Sequence, residues 1–281
     1  MDRILSADGT PIACRRQGEG PPLVLVGGAL SSAATDAPLA ALLAPRFTVV
    51  TYDRRGRGAS GSGGAAGVRR EPTKDGSGVA GVRGEIEDLT AVVAAAGPGA
   101  SVFGMSSGGA LALEAAAAGL PVELLAVYEP PYTPGTSGRL LKARRTARLH
   151  RLLAAGDRAG AVELFLSAAG VDPATVARMR RAPLWPGLEA LAPTLAYDDA
   201  LLGDGAVPAE RFAAVTARTL VVCGGFSPAP ARAATRTLAD ALRRARHRTL
   251  TGQTHEVAPQ VLAPVLADFF ARDVYAYGRA S

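Results

Sequence analysis

Lysine is nearly missing from this sequence: Lys74 and Lys142 are the two among 281 residues, so the net charge of +6 is carried by arginine. An arginine excess signals a nucleic-acid partner where it clusters with aromatic residues. The densest basic stretch, "RLLKARRTARLHRLL" (139–153), contains no aromatic residue. Arg144, Arg148 and Arg151 fall there at helical spacing while Leu141, Leu149, Leu152 and Leu153 can turn inward. A solvated helix face accounts for it, and no nucleic-acid partner is expected. Cysteine is equally scarce. Cys14 and Cys223 are far apart and lack metal-ligand spacing, which argues against a disulfide framework or a zinc site. No run of ~18 apolar residues exists to span a membrane, and "MDRILSADGT" lacks the basic-then-apolar order of a secretion signal, so no membrane contact and a cytoplasmic location are expected. The phosphate-cradling G-x-x-x-x-G-K-[ST] is absent, and "GRGASGSGG" has glycines without a strand-to-helix turn. No cluster of His, Asp and Glu has ligand spacing, so neither cofactor nor metal is implied.

With 48% apolar and 20% charged residues, the chain has ample core for one large α/β domain or two ordinary ones. "RILSADGTPIACRRQG" reads as two short strands around the Asp8-Gly9 turn. "PPLVLVGG" (21–28) and "FTVVTYD" (47–53) are unbroken apolar runs, the pattern of strands buried on both faces. Helix and strand then alternate: "DAPLAALLAPR" and "GEIEDLTAVVAAAG" as helices, "ASVFGM" as strand, "SGGALALEAAAAG" as helix, "VELLAVYE" as strand. That order predicts a mostly parallel sheet with helices on both faces. Residues 58–81, rich in Gly, Ser and charge, read as a mobile surface loop. Residues 135–216 are helical and strand-poor, and "RTLVVCGG" (218–225) resumes the sheet. The expected division is a core of 1–134 and 217–281 with a helical lid of 135–216. A helix (229–243), a strand (247–252) and a last helix (258–271) complete the expected order.

"VFGMSSGGALALEA" (102–115) carries the chemistry. Gly104-Met105-Ser106-Ser107-Gly108 is a G-x-S-x-G match with a predicted strand before it and a small-residue helix after it. A serine nucleophile needs its hydroxyl held clear of the sheet beside free backbone N–H groups, and glycines two residues before and after it leave room for so sharp a turn. Its base must be histidine, whose pKa lies near neutrality without perturbation. His150 in the basic helix and His247 among arginines read as solvated; His255, in "TGQTHEVAP" between the last strand and the last helix, is the candidate.

With "LVLVGGAL", "YDRRGRGAS" (52–60), the Ser106 turn, the helical segment and "GQTHEV", the chain resembles the α/β-hydrolase family over nearly its whole length. The resemblance implies an eight-stranded, mostly parallel sheet with a helical cap before the penultimate strand. It makes Ser106 the nucleophile and His255 the base. It assigns the oxyanion hole to the N–H groups of Ala29, after the Gly27-Gly28 pair, and of Ser107. The expected activity is hydrolysis of an ester, lactone or thioester through an acyl-enzyme. Aspartate-dependent relatives, the epoxide hydrolases and haloalkane dehalogenases, are excluded by a serine at the turn; peroxidase-like and hydroxynitrile-lyase relatives keep it and stay open.

The third member departs from the family pattern. Where an aspartate usually follows the strand after the cap, this sequence reads "CGGFSPAP", with Ser227 at the acid position. Glu129, ending the preceding strand in "LLAVYEPPY", is the candidate that orients His255; a serine–histidine dyad is the alternative, and Glu256 adjoins His255 but is expected to point away. A protein that has lost its triad and become a lyase, cyclase or ligand-binding protein is the competing functional reading. Gly28, Met105, Tyr132, Leu184, Trp185 and Phe226 are the expected pocket lining, with Trp185 open to reading as substrate wall or as core of the lid. That lining suggests a hydrophobic small-molecule substrate, bound by a monomer or homodimer. Arg54, Arg55 and Arg57 read as loop anchors or, less directly, as an anion site.

Overall fold

The computed structural model describes residues 1–62, 79–133 and 135–277. Its centre is an eight-stranded sheet in the order β1-β2-β4-β3-β5-β6-β7-β8. The hairpin β1 (Asp2–Leu5) and β2 (Pro11–Gln17) turns at Gly9, whose φ of 79° suits a residue without Cβ. Strand β2 runs antiparallel to β4 (Thr48–Tyr52), and every later pairing, through β3 (Pro22–Val26), β5 (Ser101–Met105), β6 (Leu124–Tyr128), β7 (Arg218–Gly224) and β8 (Ala245–Leu250), is parallel.

Alternation along these strands divides the core in two. Val24, Val50, Val102 and Val127 face one layer, where helices α2 (Val79–Ala96), α3 (Ser107–Ala117) and α10 (Ala229–Ala241) supply Leu89, Leu111 and Leu238. Leu23, Leu25, Phe103 and Val222 face the other, against Leu43 of α1 (Ala37–Leu43) and Leu266 of α11 (Pro259–Tyr277). Double-sided burial is why the β3 and β4 sequences read as unbroken apolar runs.

Between β6 and β7 the described chain is helical: α4 (Gly135–Ala154), α5 (Arg158–Ala168), α6 (Pro173–Arg180), α7 (Trp185–Leu191), a 3-10 turn (Ala192–Thr194), α8 (Leu195–Leu201) and α9 (Ala209–Phe212). This segment has its own apolar cluster, in which Leu149, Val162, Leu166, Trp185 and Leu195 are buried and against which Ala29 and Leu30 of the sheet side pack. Among the described residues no helix is long and apolar enough to cross a membrane.

The bounds of three elements near the C-terminal end differ from expectation. Strand β8 begins two residues earlier than expected and ends before Thr251 and Gly252, because Gly252 turns the chain at φ 73°. Helix α10 stops at Ala241, and α11 continues to Tyr277. The expected loop 58–81 falls largely on residues 63–78, outside the described residues; its last three positions are instead the first turn of α2, which begins at Val79.

Candidate active site

Ser106 sits where β5 passes into α3, with φ 53° and ψ −122°. Such a conformation costs a residue with a side chain energy, and persists where its surroundings over-determine it. Here the Ser106 N–H donates to the Tyr128 carbonyl at 2.8 Å, and the Ser106 carbonyl accepts from Gly109 and Ala110. The flanking glycines are sterically required. A Cβ on Gly104 would lie 2.5 Å from the Gly108 carbonyl oxygen, and one on Gly108 would lie 2.2 Å from that of Val26. The spacing in the sequence thus reflects backbone crowding between a strand, a turn and a helix.

Glu129 continues β6 by one residue, its N–H donating to Val222 at 3.0 Å, then turns at φ 43° before Pro130 and Pro131. Its buried carboxylate reaches toward the end of β7. One oxygen accepts the Gly224 N–H at 2.8 Å, and the other lies 2.8 Å from His255 Nδ1. Burial raises the pKa of this carboxyl, but hydrogen bonding from His255, Ser227 and Gly224 outweighs it and the net direction is down. The buried Ser227 hydroxyl faces the same carboxylate without completing a well-formed hydrogen bond. A carboxylate can only accept, so Nδ1 carries the proton and Nε2 is left as an acceptor.

The loop bearing His255 is pinned from two sides. The Tyr128 hydroxyl donates to the Thr254 carbonyl at 2.5 Å, and the Phe226 N–H donates to that of Gln253 at 2.8 Å. Ser106, Glu129 and His255 all line one cavity of about 360 Å³, together with Ala29 and Ser107. Neither Ala29 nor Ser107 spends its backbone N–H on a hydrogen bond among the described residues. Both side chains border the cavity, and no hydrogen bond joins Ser106 to His255, whose ring is held by Glu129.

A buried ionic network behind the cavity fixes both N–H groups. Asp198 of α8 accepts from Arg57 at 2.8 Å, from Arg54 at 2.9 Å and from the Ser107 hydroxyl at 2.7 Å. Arg54 also pairs with Glu85 at 2.6 Å and donates to the Gly27 carbonyl, and Arg57 donates to that of Gly28 at 2.7 Å. Burial disfavours charge on Asp198, but the two guanidiniums hold its carboxyl below the ordinary range. The arginines are therefore anchors with buried partners rather than an anion site; Arg55 likewise pairs with Asp88 and Asp8. Asp198 was invisible to sequence reasoning, since "AYDDAL" on a helix looks like any solvated acidic turn.

Of the expected lining, Tyr132 borders the cavity and edges onto Phe212 at a ring separation of 6.0 Å. The remaining five lie outside it. Trp185 is buried in the helical segment's own cluster, its Nε1 donating to Glu189 at 2.8 Å, so it is core. Leu184 and Phe226 are exposed, at 50% and 74%, because one precedes α7 and the other tops an outer turn. Met105 is half-buried against the layer of Leu43 and Leu266, and Gly28 abuts the turn, where a Cβ would come 3.3 Å from that of Ser106. His247, expected to be solvated, is half-buried with Nε2 3.1 Å from Thr235 Oγ1.

A model of the alpha/beta hydrolase family matches residues 23–271. Among solved structures, an alpha/beta hydrolase from Sphaerobacter thermophilus is 49% identical, with a TM-score of 0.83 over 96% of this chain and 100% of that one. More distant in sequence are a thermophilic esterase from Thermogutta terrifontis (20%, TM-score 0.66, 98% of each chain) and an enol-lactonase from Burkholderia xenovorans (21%, TM-score 0.60, 98% of each). No curated protein matches the chain.

Proposed function

The chain belongs to the alpha/beta hydrolase family, and from that premise we propose that it is a serine hydrolase cleaving an ester, lactone or thioester of a small, largely apolar molecule. The observation that carries this reading is the Glu129–His255 bond of 2.8 Å opening on the cavity that holds Ser106 at φ 53°. In the proposed cycle Ser106 Oγ attacks the carbonyl carbon as its proton passes to His255 Nε2. The N–H groups of Ala29 and Ser107 receive the developing oxyanion, each worth roughly 3–4 kcal/mol in such sites. His255 then protonates the departing alkoxide or thiolate. Water, deprotonated by the same nitrogen, attacks the acyl carbon and releases the acid and free Ser106.

Residues 135–216 act in this scheme as a cap, a role supported by Leu149, Leu164 and Phe165 lining the cavity opposite the sheet edge. The esterase and enol-lactonase among the structural neighbours are consistent with carbonyl chemistry on this fold. A non-hydrolytic reading rests on the missing aspartate; the Glu129 carboxylate 2.8 Å from His255 Nδ1 supports the hydrolytic reading instead.

Incubation with a 4-nitrophenyl acyl ester is expected to give a burst of nitrophenolate and a mass increase of one acyl group on Ser106. Ser106→Ala should lack both, with turnover reduced on the order of 10⁴–10⁶-fold. Turnover undiminished in Ser106→Ala would overturn the assignment.

A further inference from the structure

Charges around the cavity can be paired off one by one. Glu129 holds His255, Asp198 holds Arg54 and Arg57, and Asp199 lies 2.9 Å from Lys142 Nζ. One charged side chain in the lining is left over. Arg145 is half-buried, borders the cavity, and has no hydrogen-bond or ion-pair partner among the described residues. It is not part of the solvated arginine face of α4. Arg144 and Arg148 are exposed, whereas Lys142, Arg145 and Leu149, three and four residues apart, form the stripe of that helix turned to the cavity.

An exposed arginine needs no partner, but a half-buried one that shares a cavity lining with Leu149, Leu164 and Phe165 gives up part of its hydration without recovering it in a hydrogen bond or ion pair among the described residues. Its planar fork of donors matches a carboxylate in two parallel hydrogen bonds. We propose that Arg145 is an anion subsite, binding a carboxylate that the substrate carries at the end remote from its scissile bond. The inference rests on the hydrolase reading and narrows it: the substrate is an apolar ester, lactone or thioester with one acidic group, and the cavity neutralises that group from the α4 side.

The test compares 4-nitrophenyl hydrogen adipate with its uncharged methyl ester, and the corresponding suberate pair, in the wild type, Arg145→Leu, Arg145→Lys and Arg144→Leu. The expected result is a wild-type kcat/KM favouring the acid-bearing member. Arg145→Leu should reduce that preference about 10- to 100-fold, the usual worth of a charge-assisted pair. Arg145→Lys should keep part of it, and Arg144→Leu, which removes the same charge from the solvent face, should leave it in place. Equal losses on both members in Arg145→Leu, or a preference that survives it, would overturn the subsite. If none of the esters is cleaved and Ser106 is never acylated, the hydrolase reading is what fails. Calorimetric titration with adipate then decides the subsite alone: binding weakened tenfold or more in Arg145→Leu upholds it, and equal or absent binding in both proteins rejects it. Thermal unfolding of each variant checks that the fold is intact.

Discussion

Leu30, Ser106 and Glu129 are the non-glycine residues with positive φ among those described; Ser106 and Glu129 line the cavity, and Leu30 follows Ala29, which lines it too. Strain of this kind costs roughly 1–3 kcal/mol per residue and gathers at sites where side-chain direction matters more than local comfort. For Glu129 it aims the carboxylate at His255 Nδ1. In Glu129→Gln the amide oxygen can still accept the Gly224 N–H, but its NH2 group then faces Nδ1 and demands the opposite tautomer. Nε2 would carry the proton and could not take one from Ser106. Ester turnover in Glu129→Gln is therefore expected to fall by roughly 10²–10⁴-fold with the fold retained, against no more than a few-fold in Ser227→Ala, whose hydroxyl only assists the carboxylate. Steady-state kinetics on both variants checks the order, and the reverse order would move the orienting role to the β7 turn.

At the scale of elements, the strand, turn and helix around Ser106 explain what could be read in advance. Gly104 and Gly108 are local requirements of a local crossing, so their spacing announces it. Gly108→Ala would press a methyl group against two backbone carbonyls and is expected to cost about 1–3 kcal/mol or more in urea denaturation. Gly187→Ala serves as the opposite case: in α7 nothing lies within 4 Å of the added Cβ, and a gain of about 0.5–1 kcal/mol in stability is expected from helix propensity. Destabilisation by both, or by neither, would contradict this account of the turn. The helical segment was less legible. Its stripes of Leu and Ala predicted helices, but a lone Trp185 at the start of α7 has the same sequence signature whether it lines a cavity or fills a core. Burial against Leu166 and Leu195 is a property of how helices meet.

For the whole molecule, two carboxyls pull stability in opposite directions with pH. Glu129, held below its ordinary pKa, contributes stability that is present above about pH 4.5 and is lost as the pH falls through its folded value. Asp36, at the entry to α1, does the reverse. One of its oxygens is enclosed without a partner, and burial pushes its pKa up from 3.8 to about 7. The folded state then binds this proton more tightly than the unfolded one, so stability declines as pH rises from about 4 to about 7. Asp36→Asn removes that slope. Urea midpoints are expected to show the variant gaining on the wild type across that interval, up to a ceiling of about 4 kcal/mol at roughly 1.4 kcal/mol per pKa unit. A difference between the two proteins that stays constant with pH would contradict the enclosed carboxyl.

The sequence by itself determined the order of strands and helices, the parallel sheet and the serine turn. Each of these is written in neighbouring residues, through apolar runs buried on both faces or glycines where backbones touch. Only the tertiary structure decided which groups share the cavity. Asp198 meets Arg54 across 144 positions and Ser107 across 91, Glu129 meets His255 across 126, and Arg145 is distinguished from Arg144 by nothing but the face of α4 it occupies. Local sequence carries backbone preferences at short range. Charge pairing and burial depend on distances in space, which exist only once the chain has folded.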